Sequence, residues 1–190
     1  MAARAIKMSD AVTAKLLELA KQAQGTVQVG FIDNDQAPIA FWNEFGHKGR
    51  FPSPPRPFFR TMVAKESPKW PGMMATELQR SKMDGKRTLA FMGEEIDGEL
   101  KQSIIDLAAP ALSSTTLRLR LKFGNNPQNI RARDVVQAQR EVEAGDPIAS
   151  GTQAKPLIWT GDMLNSTGYR VSQGDVMVLN TKTGNYEARG

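Results

Sequence analysis

A run of prolines near the first third of the chain restricts its backbone more than any other feature. Four prolines occur within six residues: Pro52, Pro54, Pro55 and Pro57. Each fixes its own φ angle and disfavours helical geometry at the residue before it. The sequence therefore predicts an extended, stiff arm over residues 51–56. Pro57 suits the first turn of a helix, so we expect the arm to lead directly into a helix that begins near Phe58.

Two elements are predicted before the arm. Residues 27–32 alternate apolar with polar or small side chains, the pattern of a half-buried strand. Ile39, Trp42 and Phe45 then recur every three residues and predict a short helix that packs by this aromatic face. Gly46 follows where a helix commonly ends on a left-handed residue.

The rest of the chain predicts helices around a small sheet. Amphipathic spacing indicates helices over residues 10–23 and 88–107, with Asp97 and Lys101 able to pair one turn apart in the second. Residues 169–179 predict a hairpin turned at 173–175. We therefore expect an α+β fold, with a small, mostly antiparallel sheet flanked by helices. Its core comprises residues 1–111 and 155–190.

Residues 112–154 are predicted to form a projecting basic insertion. Leu117, Leu119, Leu121 and Phe123 alternate with cations, which on a strand places all four apolar side chains on one face. A strand or hairpin arm is therefore expected, followed by a polar helix over 131–144 and a loop. Five cations form the predicted basic face: Arg118, Arg120, Lys122, Arg131 and Arg133.

Composition excludes several kinds of site. The 190 residues contain no cysteine and a single histidine, His47, which removes disulfides, thiolate nucleophiles and multi-histidine metal sites within one chain. A net charge of +5 favours contact with acidic surfaces without establishing nucleic-acid binding. The N-terminus has no apolar signal core, and no eighteen apolar residues run together, so a soluble cytoplasmic product is expected.

The candidates for catalysis are sparse. Asp33, Asp35 and Glu44 offer carboxylates to a magnesium ion, as in a metal-dependent hydrolase, but they fit a turn and a helix surface equally well. His47 has no obvious nucleophile beside it and is expected to be a loop residue. We therefore expect a protein that is not an enzyme and needs no cofactor or metal.

Three ordered segments resemble a known family, the tail-completion or head-to-tail joining (neck) proteins of long-tailed bacteriophages. They are VGF at residues 29–31, AFWNEFG at 40–46 followed by PPRPFFR at 54–60, and PLIWTGDMLNS at 156–166. The resemblance implies a structural virion protein of the neck or tail top. Such a protein closes into a ring, with six or twelve copies, and joins the tail to the head connector while leaving an axial path for DNA.

The resemblance also implies partners among neighbouring neck, connector, tail-tube or terminator proteins, with passive DNA contact in the lumen and no membrane. The proline arm is the expected assembly surface, because prolines reduce the entropy lost on docking. Its residues are Arg50, Phe51, Pro52, Pro54, Pro55, Arg56 and Pro57. The alternative is a sequence-nonspecific DNA-binding protein that uses the predicted basic face, with affinity falling as salt rises.

Overall fold

The structure is a computed structural model that describes residues 25–32, 34–48, 52–124, 126–172, 176–179 and 186–189. The chain divides into two compact units. The first comprises Met1–Gln28, Lys69–Glu95 and Tyr169–Gly190, and the second comprises Val29–Pro68 and Ile96–Gly168. The predicted helix over 10–23 lies outside the described residues. The predicted insertion falls within the second unit.

Helices dominate the described part of the chain. The α-helices are α1 (Ala37–Phe45), α2 (Phe58–Glu66), α3 (Trp70–Arg80), α4 (Gly85–Asp106), α5 (Ser114–Phe123), α6 (Ala132–Glu143) and α7 (Asp162–Asn165). The predicted helices over 88–107 and 131–144 correspond to α4 and α6. Asp97 and Lys101 form the expected ion pair on α4, with Nζ 2.7 Å from Oδ2.

The strands form two short ladders. β1 (Thr26–Gly30) pairs with β2 (Gly168–Ser172), and β3 (Val176–Leu179) pairs antiparallel with β4 (Tyr186–Arg189). The small α+β fold is thus confirmed. The pairing of β1 with the first strand of the C-terminal segment is as expected, but the hairpin predicted over 169–179 is wrong, because β3 pairs with β4 in the described residues and not with β2.

The core of the second unit lies between α2 and the second half of α4. Phe58, Leu100 and Ile104 are fully buried, and the ring of Phe31 meets that of Phe58 edge to face at 6.2 Å. Ser103 Oγ donates a hydrogen bond to the Phe58 carbonyl at 2.7 Å. This contact holds the first residue of α2 against α4.

In the first unit, the ring of Tyr169 packs closely against the first half of α4. Leu89 and Met92 are buried, and Gly93 lies directly under the ring of Tyr169. A Cβ atom at Gly93 would be 2.3 Å from Tyr169 Cδ2, so only glycine leaves room for the ring. Tyr169 Oη also hydrogen-bonds Glu94 Oε1 at 3.1 Å.

The predicted strand at the start of the insertion is wrong, because residues 114–123 form helix α5. Ser113 caps this helix, its Oγ accepting a hydrogen bond from the Thr116 N–H at 3.2 Å. The helix therefore places the alternating leucines on different sides. Leu119 is buried while Leu121 is exposed, as expected when alternate residues fall on opposed sides of a helix.

Candidate assembly interface

The proline arm is held against the end of α1 by backbone hydrogen bonds. His47 and Ser53 form an antiparallel bridge with both N–H to O distances at 3.0 Å, and Arg56 N donates to the Asn43 carbonyl at 2.7 Å. Gly46, at φ 77°, makes this return possible, because a Cβ there would lie 2.9 Å from Ser53 O and from Pro55 N. The arm is non-helical along residues 52–57, as its prolines predict.

The residues predicted for the assembly surface do not all face outward. Pro52, Pro54 and Pro55 are exposed, while Pro57 is half-buried. The Arg56 side chain turns inward and its Nε donates to the Pro110 carbonyl at 3.2 Å. Burial lowers the pKa of this guanidinium. Arg50 and Phe51, also predicted for this surface, lie outside the described residues.

Glu44 joins α1 to the start of α2. Its carboxylate accepts hydrogen bonds from the N–H groups of Phe59 at 2.9 Å and Arg60 at 3.2 Å, and from Arg60 Nε at 2.7 Å. Arg60 Nη2 also donates to the Glu44 carbonyl at 3.1 Å. A buried carboxylate here satisfies N–H groups that the first turn of a helix leaves without partners, and it interacts favourably with the helix dipole.

This connection turns the other side of α1 outward. Ala40 and Glu44 are the buried residues of the helix, so the prediction that α1 packs by its aromatic face is wrong. The exposed apolar side chains of α1 are Ile39 at 42%, Phe41 at 59%, Trp42 at 51% and Phe45 at 51%. The sequence itself indicates that some apolar side chains of α1 are exposed. Apolar residues occupy too much of the helix circumference for one side to bury them all.

Two depressions flank the exposed side of α1. The first, which we call the α1–α2 groove, has a volume of about 210 Å³. It is lined by Phe31, Ala37, Phe41, Phe45, Phe58 and Phe59. The second, on the side of the arm, is lined by Ile39, Trp42, Asn43, His47 and Ser53. The Trp42 ring is positioned there by an edge-to-face contact with His47 at 5.8 Å.

The sequence segments that carry the phage resemblance meet in the second unit. Glu44 and Asn43 of the AFWNEFG segment bind the backbone of the PPRPFFR segment, as described above. Asn34 Nδ2 donates to the Ser166 carbonyl at 2.7 Å, which ties the C-terminal segment to the turn before α1. Phe31 of the VGF segment contacts Phe58. Segments far apart in sequence thus build one local structure.

The predicted basic face is not a free stripe of cations. Arg118 Nε lies 2.8 Å from Glu141 Oε2 and its Nη2 lies 3.2 Å from Asp146, while Lys122 Nζ lies 2.7 Å from Glu141 Oε1. The hydrogen bonds from Lys122 and Arg118 lower the pKa of Glu141 to about 2. The cations therefore join α5 to α6 and the segment after it. A helix, unlike a strand, distributes positions 118, 120 and 122 around its axis.

Arg120 is the most deeply placed of these cations, with 4% of its surface exposed. Nη1 donates to the carbonyls of Gln153, Lys155 and Ile158 at 2.8, 2.7 and 3.0 Å, and Nη2 donates to that of Pro156 at 3.0 Å. The guanidinium also lies 5.0 Å above the Trp159 ring. Burial, with a smaller effect from the charge of Arg56, lowers the pKa of Arg120 to about 10.

Arg131 and Arg133 do face solvent, at the start of α6. Arg131 Nη1 donates to the Gln128 carbonyl at 3.3 Å. Arg133 approaches Asp134 at 3.9 Å with 87% of its side chain exposed. Of the five cations predicted for the basic face, Arg131 and Arg133 are therefore exposed.

The carboxylates considered for a metal site do not form one among the described residues. Glu44 is occupied with the start of α2, and Asp33 lies outside the described residues. No group of three or more metal-ligating side chains is found in the described ranges. Within the same ranges, no helix is both long and apolar enough to cross a bilayer.

Comparison with known proteins yields no match: no family model, no curated protein and no solved structure is significantly similar to this chain.

Proposed function

We propose that this chain is a structural virion protein of the phage neck or tail top, which assembles into a ring and joins the tail to the head connector. One observation carries the proposal. The segments that resemble the joining family meet in one unit, and the helix at their centre exposes four large apolar side chains. Large apolar side chains exposed together on one short helix are typical of an interaction site on a folded chain.

The mechanism would be association without any bond being broken. The arm is held to α1 by its own backbone hydrogen bonds, so little conformational entropy is lost when a neighbour binds it. Exposed Pro52, Pro54 and Pro55 lie beside the apolar side of α1 and extend the surface offered to a neighbour. Several such contacts around an axis would close a ring and leave a central path for DNA.

The structure gives less support to the DNA-binding alternative. Arg118, Arg120 and Lys122 already hold carboxylates or backbone carbonyls of their own unit. A phosphate would have to compete with these internal partners, and removing Arg120 from its carbonyls would leave buried acceptors unsatisfied. The predicted stripe is thus a poor starting point for phosphate binding.

The proposal is tested by mixing the purified protein with tail tubes from the same source and imaging them by negative stain, with light scattering for mass. We expect rings, or caps on the tube ends. A protein that ignores tube ends but shifts duplex DNA at low salt would overturn the proposal in favour of the DNA-binding alternative. Trp42→Ser is the test variant and should lose this assembly, whereas Val136→Ser is its matched control and should keep it, because Val136 is as exposed as Trp42 but lies on α6.

A further inference from the structure

We propose that Arg56 and Arg120 form an anion site, in which the Nη groups of Arg56 bind a phosphate and the charge of Arg120 helps to hold it. The inference does not depend on the joining function. It assigns a ligand class to two buried arginines that form no ion pair with any carboxylate of the described residues.

Most of the hydrogen-bonding capacity of Arg56 is unused. Only 6% of the residue is exposed, and its Nε donates to the Pro110 carbonyl at 3.2 Å. Nη1 and Nη2 carry the remaining N–H groups, and neither has an acceptor among the described residues. Both atoms keep some contact with solvent, since the fully enclosed side-chain atoms without a partner in the described ranges are Asp97 Oδ1 and Arg120 Nε. A small molecule can therefore reach this end of the guanidinium.

Arg120 places a second buried charge in the same region. Its Nη groups hold the backbone carbonyls of residues 153–158, whereas its Nε is enclosed and has no acceptor in the described part of the chain. The charge of Arg56 lowers the pKa of Arg120, so the two guanidiniums are near enough to repel one another. Two like charges thus lie close together with little solvent around them.

Lys155 adds a third cation to the framework that holds these arginines. Its Nζ donates to the Ile105 carbonyl at 2.8 Å, near the end of α4, and its own carbonyl accepts from Arg120. Arg56 binds the Pro110 carbonyl a few residues further along the same stretch. Residues 105–110 and 153–158 thus supply the backbone that positions all of these cations.

Carboxylates of the described residues do not balance this charge. Asp106, the acidic residue of the two stretches, instead accepts a hydrogen bond from Gln102 Nε2 at 2.8 Å. Burial lowers the pKa of both arginines, and no negative group of the described chain raises either one. Buried charges in folded proteins are normally paired, because an unpaired ion loses its hydration without compensation. A negatively charged ligand would supply the partner.

The geometry of the donors selects an oxyanion. With Nε held by a carbonyl, the two Nη groups present N–H bonds that match two oxygens of a carboxylate or a phosphate. A phosphate monoester carries about −1.5 to −2 charge at pH 7, close to the combined charge of two arginines, whereas a carboxylate or a phosphodiester carries a single charge. The small exposed fraction of Arg56 also favours a small anion over a duplex. The ligand class is therefore inorganic phosphate or a terminal phosphate monoester.

Thermal unfolding in phosphate tests the site, with chloride at the same ionic strength as the reference. We expect phosphate to raise the unfolding midpoint of the wild type by about 2–4 °C. Arg56→Met should lose this shift, while Arg133→Met should keep it, because Arg133 is an exposed arginine. General salt effects of phosphate act on every variant, so the difference between variants reports the site.

The midpoint in chloride alone separates a ligand site from a structural role. Arg56→Met removes a buried charge together with a single side-chain hydrogen bond, so the variant should unfold at or above the wild-type temperature in chloride. A variant that is less stable than the wild type in chloride, and that still responds to phosphate as the wild type does, would overturn the inference.

Isothermal titration calorimetry with inorganic phosphate measures the binding directly. We expect one site per chain, weakened by about tenfold or more in Arg56→Lys, which keeps the charge but loses the paired Nη donors. Duplex DNA without terminal phosphates offers only phosphodiesters and should not compete. Competition by this duplex would overturn the ligand class, and a wild type that binds phosphate no better than Arg56→Met would overturn the site.

Discussion

The carboxylate of Glu44 binds the N–H groups of both Phe59 and Arg60 as well as the Arg60 guanidinium, whose Nε lies 2.7 Å from Oε1. One acidic residue of α1 thus caps α2 and fixes the angle at which the chain leaves the proline arm. The same hydrogen bonds select which side of α1 is buried. The exposed aromatic side chains are a consequence of this choice.

Replacing Glu44 with Gln should destabilise the second unit. The amide keeps the shape but loses the charge, and hydrogen bonds to a charged group contribute about 1.5–3 kcal/mol. We expect the free energy of unfolding in urea to fall by about 2 kcal/mol. The exposed residue Glu95 provides the control, since Glu95→Gln should be nearly silent. An equal effect of both substitutions would contradict the role assigned to Glu44.

Replacing Arg120 with Met should be among the most damaging changes in the chain. Met fills much of the volume but leaves the carbonyls of residues 153, 155, 156 and 158 without their donor. The expected cost is about 3–5 kcal/mol in denaturant unfolding. Arg120→Lys should also destabilise, because an ammonium group cannot reproduce the planar set of donors.

The exposed arginine of α6 provides the matched comparison for Arg120. Arg133→Met should change the free energy of unfolding by no more than about 0.5 kcal/mol, because most of its side chain is in solvent. If Arg133→Met proved as costly as Arg120→Met, the buried network would not be the source of the effect.

Glu141 should make the stability of the α5 and α6 pair dependent on acid pH. Hydrogen bonds from Lys122 and Arg118 lower the pKa of this carboxyl in the folded chain to about 2. A lowered pKa contributes stability above the pKa of the unfolded chain, about 4.3, and that contribution is lost as pH falls toward 2. The difference in unfolding free energy between wild type and Glu141→Gln should therefore shrink between about pH 5 and pH 2.

Urea unfolding at several pH values checks this dependence. Glu143→Gln, on the same helix and exposed, is the control and should show little change with pH. A difference for Glu141→Gln that stayed constant down to pH 2 would show that the ion pairs do not govern the stability of this region.

Two glycines of α4 should respond in opposite directions to alanine. Gly93→Ala places a Cβ against the ring of Tyr169 and should destabilise by about 1–3 kcal/mol. Gly98 has open space around the corresponding position, so Gly98→Ala should stabilise by about 0.5–1 kcal/mol through helix propensity. Thermal unfolding of both variants tests the pair. Equal signs would mean that Tyr169 does not pack on Gly93 in solution.

Local chemistry in the sequence determined several elements of this protein. The apolar repeat that includes Leu89, Met92, Leu100 and Ile104 predicts a helix over 88–107, and α4 spans Gly85–Asp106. The prolines predict an arm without helix that leads into a helix, and α2 begins at Phe58. These features depend on residues close in sequence, whose backbone preferences and spacing are sufficient to predict them.

Tertiary contacts decided the features that sequence patterns predicted incorrectly. Alternation at residues 117–123 favoured a strand, but Arg120 finds its four carbonyl partners more than thirty residues away, and the segment is a helix. The apolar spacing in α1 predicted that its aromatic side would be buried, but Glu44 binds the start of α2 and its own side of the helix is buried instead. Both outcomes depend on polar groups that become buried only when distant segments meet. A polar group that is buried away from water must have a hydrogen-bond partner. The position of that partner, and not the local apolar pattern, therefore determines which side of a helix faces inward.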